Sequence, residues 1–165
     1  MHLKSKLLIS SFVLGAVLAS SSATAKPMKN GKFGVGLQLS SPTAGISVKK
    51  EISDVITVQG TLGGGGYYTS AGVRGLYKFQ KDQKYDIYGF GGVSYLSYDY
   101  GRYYSAYYGD SVTAIGFGGG AGVELDVTKE ITVNGELSYT HVNWGAGING
   151  GFGGIGFGVG AHYWF

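Results

Sequence analysis

No cysteine occurs in the 165 residues, so neither a disulfide framework nor a thiolate metal site is available. An exported chain of this size without disulfides needs another source of stability. Histidine, aspartate and glutamate never cluster at metal-ligand spacing, and no cofactor is expected. Charge is sparse and nearly balanced, with 13 Lys and Arg against 10 Asp and Glu, a formal +3. That value leaves no footprint for nucleic acid. Long hydrophobic runs are missing too. The apolar run Leu7–Leu18 is too short to cross a bilayer as a helix.

That run has a different meaning. Lys4 and Lys6 precede it, and Ala23-Thr-Ala25 follows it after a serine-rich spacer. A charged n-region, an apolar h-region and an A-x-A site make a secretory signal peptide. Residues 1–25 are expected to be removed, leaving 26–165 as one domain that begins at Lys26. No cysteine follows the h-region, so a lipoprotein anchor is excluded. Loss of the two lysines lowers the formal charge from +3 to +1.

What the chain has in quantity is glycine and tyrosine, 32 and 14 residues. Such a composition also suits a disordered secreted protein. Alternation of apolar and polar residues with period two, kept through most of the length, argues against that. Strands are expected near 33–40, 46–52, 56–62, 71–79, 85–97, 115–125, 131–140 and 153–165. Phe33, Val35, Leu37 and Leu39 oppose Gly34, Gly36, Gln38 and Ser40 in the first. Lys50 interrupts the apolar side of the second, near an end where a long cation can reach an interface. Glycines 89, 91 and 92 blur the phase of the fifth. Residues 41–45, around Pro42, form a short turn. Gly63–Ser70, Asp99–Asp110 and Asn143–Gly151 read as longer loops, and polar turns lie near 53–54, 80–84 and 128–130. Tyr95 and Tyr98 suit an aromatic girdle. Ile56-Thr-Val-Gln-Gly60-Thr-Leu62 is echoed by Ile131-Thr-Val-Asn-Gly135-Glu-Leu137.

The final stretch carries the most information. Ile155, Phe157, Val159, Ala161, Tyr163 and Phe165 alternate with Gly154, Gly156, Gly158, Gly160, His162 and Trp164. A strand whose outer face meets lipid needs this pattern. It resembles the terminal strand of bacterial outer-membrane β-barrels. Together with the strand–turn–strand echo, it places nearly the whole mature chain as similar to the OmpA transmembrane domain/OmpX-like class. The fold expected is all-β, an eight-stranded antiparallel up-and-down transmembrane β-barrel in a Gram-negative outer membrane. The resemblance implies further that Val159, Ala161, Tyr163 and Phe165 act as a C-terminal signal read by the barrel assembly machinery. Lipid and lipopolysaccharide are then the surroundings, and the barrel is a monomer.

On the opposite, lumen face fall Lys49, Glu51, Arg74, Lys78, Glu124 and Glu136. Opposite charges there can pair and close a narrow interior, with Glu124 and Glu136 served by Lys49, Arg74 or Lys78. The alternative is a narrow passive pore, kept open as a reading by the inward glycines. Gly158→Ser is expected to be mild on this view. Gly116-Phe-Gly-Gly-Gly-Ala-Gly122 continues the strand period and opens no helix, so it is no nucleotide loop. Lipid A deacylases on this fold carry a His-x-Ser pair with a downstream acid. Here His141-Val-Asn143 lacks the serine, no acid follows, and His162 has no recognisable partner, so no catalytic residue is assigned. Tyr103, Tyr104, Tyr107 and Tyr108 are candidate loop contacts for an unidentified surface ligand, or part of the aromatic girdle. The role expected is structural or interactive, ahead of a pore and of a lipid-modifying enzyme.

Mass spectrometry of the membrane-extracted protein should give a chain starting at Lys26. A species retaining Leu7–Leu18 would mean an uncleaved signal anchor.

Overall fold

The computed structural model describes residues 33–99, 111–144 and 151–165. They form eight strands: β1 (Phe33–Leu39), β2 (Ala44–Glu51), β3 (Ile56–Gly65), β4 (Tyr68–Lys81), β5 (Tyr85–Asp99), β6 (Ser111–Asp126), β7 (Ile131–Trp144) and β8 (Gly151–Trp164). Each pairs antiparallel with its sequence neighbour, and β1 closes on β8 through Gly34↔Trp164 to Leu39↔Val159. The result is a closed up-and-down barrel. Closure removes the edge strands that an open sheet of this length would expose.

Burial is inverted relative to a water-soluble barrel. Fully buried side chains include Gln38, Ser47, Lys49, Gln59, Thr132 and His162, while Leu39, Leu62, Ile115, Ile155 and Phe157 are exposed. Phe157 is 79% exposed and Ile155 74%. Alternation with apolar residues outward and polar residues inward is what a bilayer demands of a spanning strand. Val159, Ala161, Tyr163 and Phe165 all lie on the outer face, and the Tyr163 and Phe165 rings meet edge-on at 5.0 Å. Lys50 sits at the same end, its Nζ 4.0 Å from the centre of the Phe33 ring.

Several expectations are corrected. Gly63–Ser70 is not a loop. β3 and β4 pair through Gly65↔Tyr68, and only Gly66 and Tyr67 turn the chain. Gly66 has φ +60°, which a two-residue hairpin with glycine at its first central position requires. Ile52 belongs to the turn after β2. β5 has a definite phase, with Asp86, Tyr88 and Leu96 inward and Val93 and Tyr95 outward. Tyr98 follows the inward set, packing on Tyr68 and Trp144 with ring centres 5.0 and 5.7 Å apart, so it is no girdle residue. Phe79 occupies a bulge where the β4–β5 register shifts between Lys78 and Gln80. The signal segment, and Tyr103, Tyr104, Tyr107 and Tyr108, lie outside the described residues.

The sequence echo has a structural counterpart. In one turn the amides of Ile52 and Ser53 both donate to the Ile56 carbonyl, and in the other those of Val127 and Thr128 both donate to that of Ile131. Three residues on, Gln59 and Asn134 both point inward and both donate to Gln38 Oε1, at 3.4 and 3.2 Å.

Inward glycines are a consequence of the small circumference. A Cβ on Gly36 would lie 1.8 Å from the Ala161 carbonyl oxygen. Gly158→Ser, expected to be mild, meets the Ser40 Cβ at 2.8 Å and Glu136 Oε2 at 3.1 Å. Outward Gly135 has nothing within 4 Å.

Three substitutions test this arrangement through the temperature at which the folded band converts to the unfolded band on a denaturing gel. Gly36→Ala should lower it sharply. Gly135→Ala should hold or raise it, since alanine in a strand relieves roughly 0.5–1 kcal/mol of glycine cost. Val159→Arg, in the middle of the apolar band of β8, should impair assembly by about 2–4 kcal/mol.

Candidate functional site: the barrel lumen

The lumen is filled in tiers. Nearest the chain ends, the Trp164 ring covers Gly34 and its Nε1 donates to Thr132 Oγ1 at 3.0 Å. Above it, Lys78 Nζ reaches Glu51 Oε1 at 2.5 Å and Asp86 Oδ2 at 3.3 Å, joining β4, β2 and β5. Lys49 of β2 pairs with Glu124 of β6. These strands stand on opposite walls of the barrel, so the pair bridges the bore. Lys49 is 1% exposed and Glu124 4%. Beside them His162 has a partner that sequence reading missed: its Nε2 lies 2.9 Å from Ser47 Oγ, which also accepts from Gln59 Nε2 at 2.6 Å.

Glu136 is the hub of the next tier. Arg74 grips it with two parallel bonds, Nη1 to Oε2 and Nη2 to Oε1, each 2.7 Å. Planar two-point contact of this kind is the strongest geometry for an arginine–carboxylate pair. Tyr88 donates to Oε1 at 2.6 Å, Asn134 to Oε1 at 3.1 Å and Gln38 to Oε2 at 3.2 Å. Arg74 also donates through Nε and Nη2 to Gln59 Oε1 at 3.0 and 2.8 Å, and its guanidinium lies 4.6 Å from the Phe90 ring centre. Side chains of β1, β4, β5 and β7 thus converge on one carboxylate, and Gln59 of β3 joins through Arg74. A buried carboxylate is tolerable only with its acceptor sites filled in this way.

Asp86, Tyr88, Gln38, Gln59 and Asn134 complete the network around the six charges read from sequence. Gln38, Gln59 and Asn134 could have been found by parity alone. Asp86 and Tyr88 were hidden by the glycine-diluted phase of β5.

Over the network sits the β1–β2 connection, residues 40–43. It folds into the bore. Tyr68 Oη donates to the Pro42 carbonyl at 2.7 Å, and Thr140 Oγ1 to that of Ser41 at 3.5 Å. Inward glycines make its seat: added Cβ atoms on Gly72, Gly116 and Gly156 would meet Thr43, Pro42 and Ser41 at 3.1–3.3 Å. Of the inward glycines that kept a pore in view, Gly116 and Gly156 therefore face the chain's own turn. A cavity of about 50 Å³ remains between this turn and Arg74, room for a water or two. His141, on β7, pairs its Nε2 with Asn143 Oδ1 at 3.0 Å and stacks near Phe117.

Removing one partner of a buried pair strands the other. Glu124→Gln should cost about 3–5 kcal/mol in denaturant unfolding from lipid vesicles, and adding Lys49→Met should recover most of that loss. Additive costs would mean that the two charges do not depend on each other.

No protein-family model matches the chain, and no curated protein matches it in sequence. Among solved structures, the N-terminal β-barrel domain of Pseudomonas aeruginosa OprF is similar with a TM-score of 0.63 at 12% identity, covering 82% of this chain and 98% of that one. Neisserial surface protein A is similar with a TM-score of 0.51 at 19% identity, covering 81% and 94%. At these identities the likeness is one of architecture, and the chain has the fold of a small outer-membrane barrel.

Proposed function

We propose that this protein is a closed barrel of the outer membrane with a structural or surface-interaction role. One observation carries the reading: ion pairs from facing walls, Lys49–Glu124 and Arg74–Glu136, cross the bore beneath an inward-folded turn. A lumen stitched in this way braces the wall and leaves no continuous water path. The apolar exterior supports a position in lipid and lipopolysaccharide. Export follows from the signal at residues 1–25, and assembly from recognition of Val159, Ala161, Tyr163 and Phe165. Pairing of β1 with β8 along Gly34–Leu39 closes the sheet on itself and supports a monomer. The Tyr/Gly-rich stretch at 100–110, with Tyr103, Tyr104, Tyr107 and Tyr108, is the segment it would present outside, to a ligand still to be identified. We assign no catalytic role, because His141 bonds to Asn143 where a hydrolase would need a serine and an acid.

Planar-bilayer recording decides between a brace and a pore. The unmodified protein should show no steady conductance. Changing both Glu124 and Glu136 to Gln should loosen the barrel and open a small one. Steady conductance in the unmodified protein would give the function to the narrow pore instead.

A further inference from the structure

The lining of the bore changes character above the β1–β2 turn. Below it, inward positions carry Glu136, Asn134, Thr132 and Lys49. Above it they carry Leu96, Tyr98, Val142, Trp144 and Phe152, with Pro42 as the floor, around a chamber of about 240 Å³. Barrel interiors are ordinarily polar, so this mainly apolar lining, broken only by Ser41 and the Tyr98 hydroxyl, departs from the usual pattern. That volume lies just below the range that holds a drug-sized molecule, roughly 300–1,000 Å³. It suits a single chain of methylenes and excludes a whole lipid.

The wall beside this chamber is incomplete among the described residues. β1 stops at Leu39, opposite Val159, while β8 continues to Gly151. β2 lies against β3 no further than Ala44 beside Gly63, while β3 continues to Gly65. A notch is left between the upper parts of β8 and β3. Its rim outside is Leu39, Leu62, Ile155 and Phe157, all exposed, so it opens at the height of the apolar band. Phe152 joins the two features, since it lines the chamber, lies against Gly154 at the notch and is 70% exposed.

We propose that the chamber takes one acyl chain of a surrounding membrane lipid, admitted sideways through the notch above the β1–β2 turn. This rests on the membrane placement proposed above and goes beyond it. The protein would hold, and could present at the surface, a lipid withdrawn from the bilayer.

Strand parity makes the test direct. The full mature chain is folded into phosphatidylcholine vesicles containing phosphatidylcholine with a photoactivatable diazirine on one acyl chain, then irradiated and mapped by peptide mass spectrometry. Labels are expected at inward Leu96, Val142 and Trp144 as well as at outward Ile155 and Phe157. Leu96→Gln with Val142→Gln should cut inward labelling at Trp144 by about ten-fold, the effect of about 1.4 kcal/mol, and leave Ile155 and Phe157 labelled. Labels confined to outward positions in the unmodified protein would overturn the proposal, whatever the variant does. Unchanged Trp144 labelling in a folded variant would do so too. A second arm adds a free diazirine fatty acid to unlabelled vesicles. If only that arm labels the chamber, the source is the aqueous phase and lateral entry is overturned. Loss of the outward labels as well would overturn the membrane placement itself, and the proposal with it.

Discussion

A strand that crosses hydrocarbon must pair every backbone N–H and C=O with protein, because lipid offers no substitute. The β1–β8 pairing from Gly34↔Trp164 to Leu39↔Val159 meets that requirement along the closed part of the wall. Without it Phe33–Leu39 and Val159–Trp164 would be two edges. With it, the outside must be apolar, and every polar side chain the sequence carries on its strands has one place to go. The buried set of Gln38, Lys49, Gln59, Glu124 and His162 is the consequence.

Eight strands make a narrow bore, and narrowness sets the second layer of constraints. Charges three or four strands apart are close enough to meet across the bore, so Lys49 reaches Glu124 and Arg74 reaches Glu136. Such pairs do not have to stabilise the barrel relative to an apolar filling. What they contribute is specificity, since five strands must hold their mutual register for Gln38, Gln59, Arg74, Tyr88 and Asn134 to share one site with Glu136. Narrowness also explains Gly36, whose missing side chain lets β1 lie against the Ala161 carbonyl of β8.

The shortness of β1 and β2 divides the barrel by function. Where the wall is complete, the bore is polar and crossed by ion pairs. Where the β1–β2 turn has folded in, the remaining strands rise around an apolar chamber with a gap at its side. Pro42 marks the boundary, polar network below and Leu96, Trp144 and Phe152 above. A turn of four residues thereby covers the polar network and makes the floor of a second space.

Alternation by itself determined the existence of the strands, their number and which residues face lipid. Phe157 and Val159 against Gly158 and Gly160 read as clearly in sequence as in the barrel, because the side-chain period of a strand is two whatever its partners. Parity also put Glu124 and Glu136 on one face. It did not say which base each would meet, since that depends on strand tilt and on which walls stand opposite. Composition misled at Gly63–Ser70, where glycines that suggested a loop extend a hairpin and only Gly66 and Tyr67 turn it. It misled again at Gly158, whose free space in sequence is taken by Ser40. The inward turn at Pro42, the Ser47 partner of His162 and the apolar chamber were decided by tertiary structure alone. Each is made by residues far apart in the chain, and their distances are set by barrel closure rather than by any local pattern.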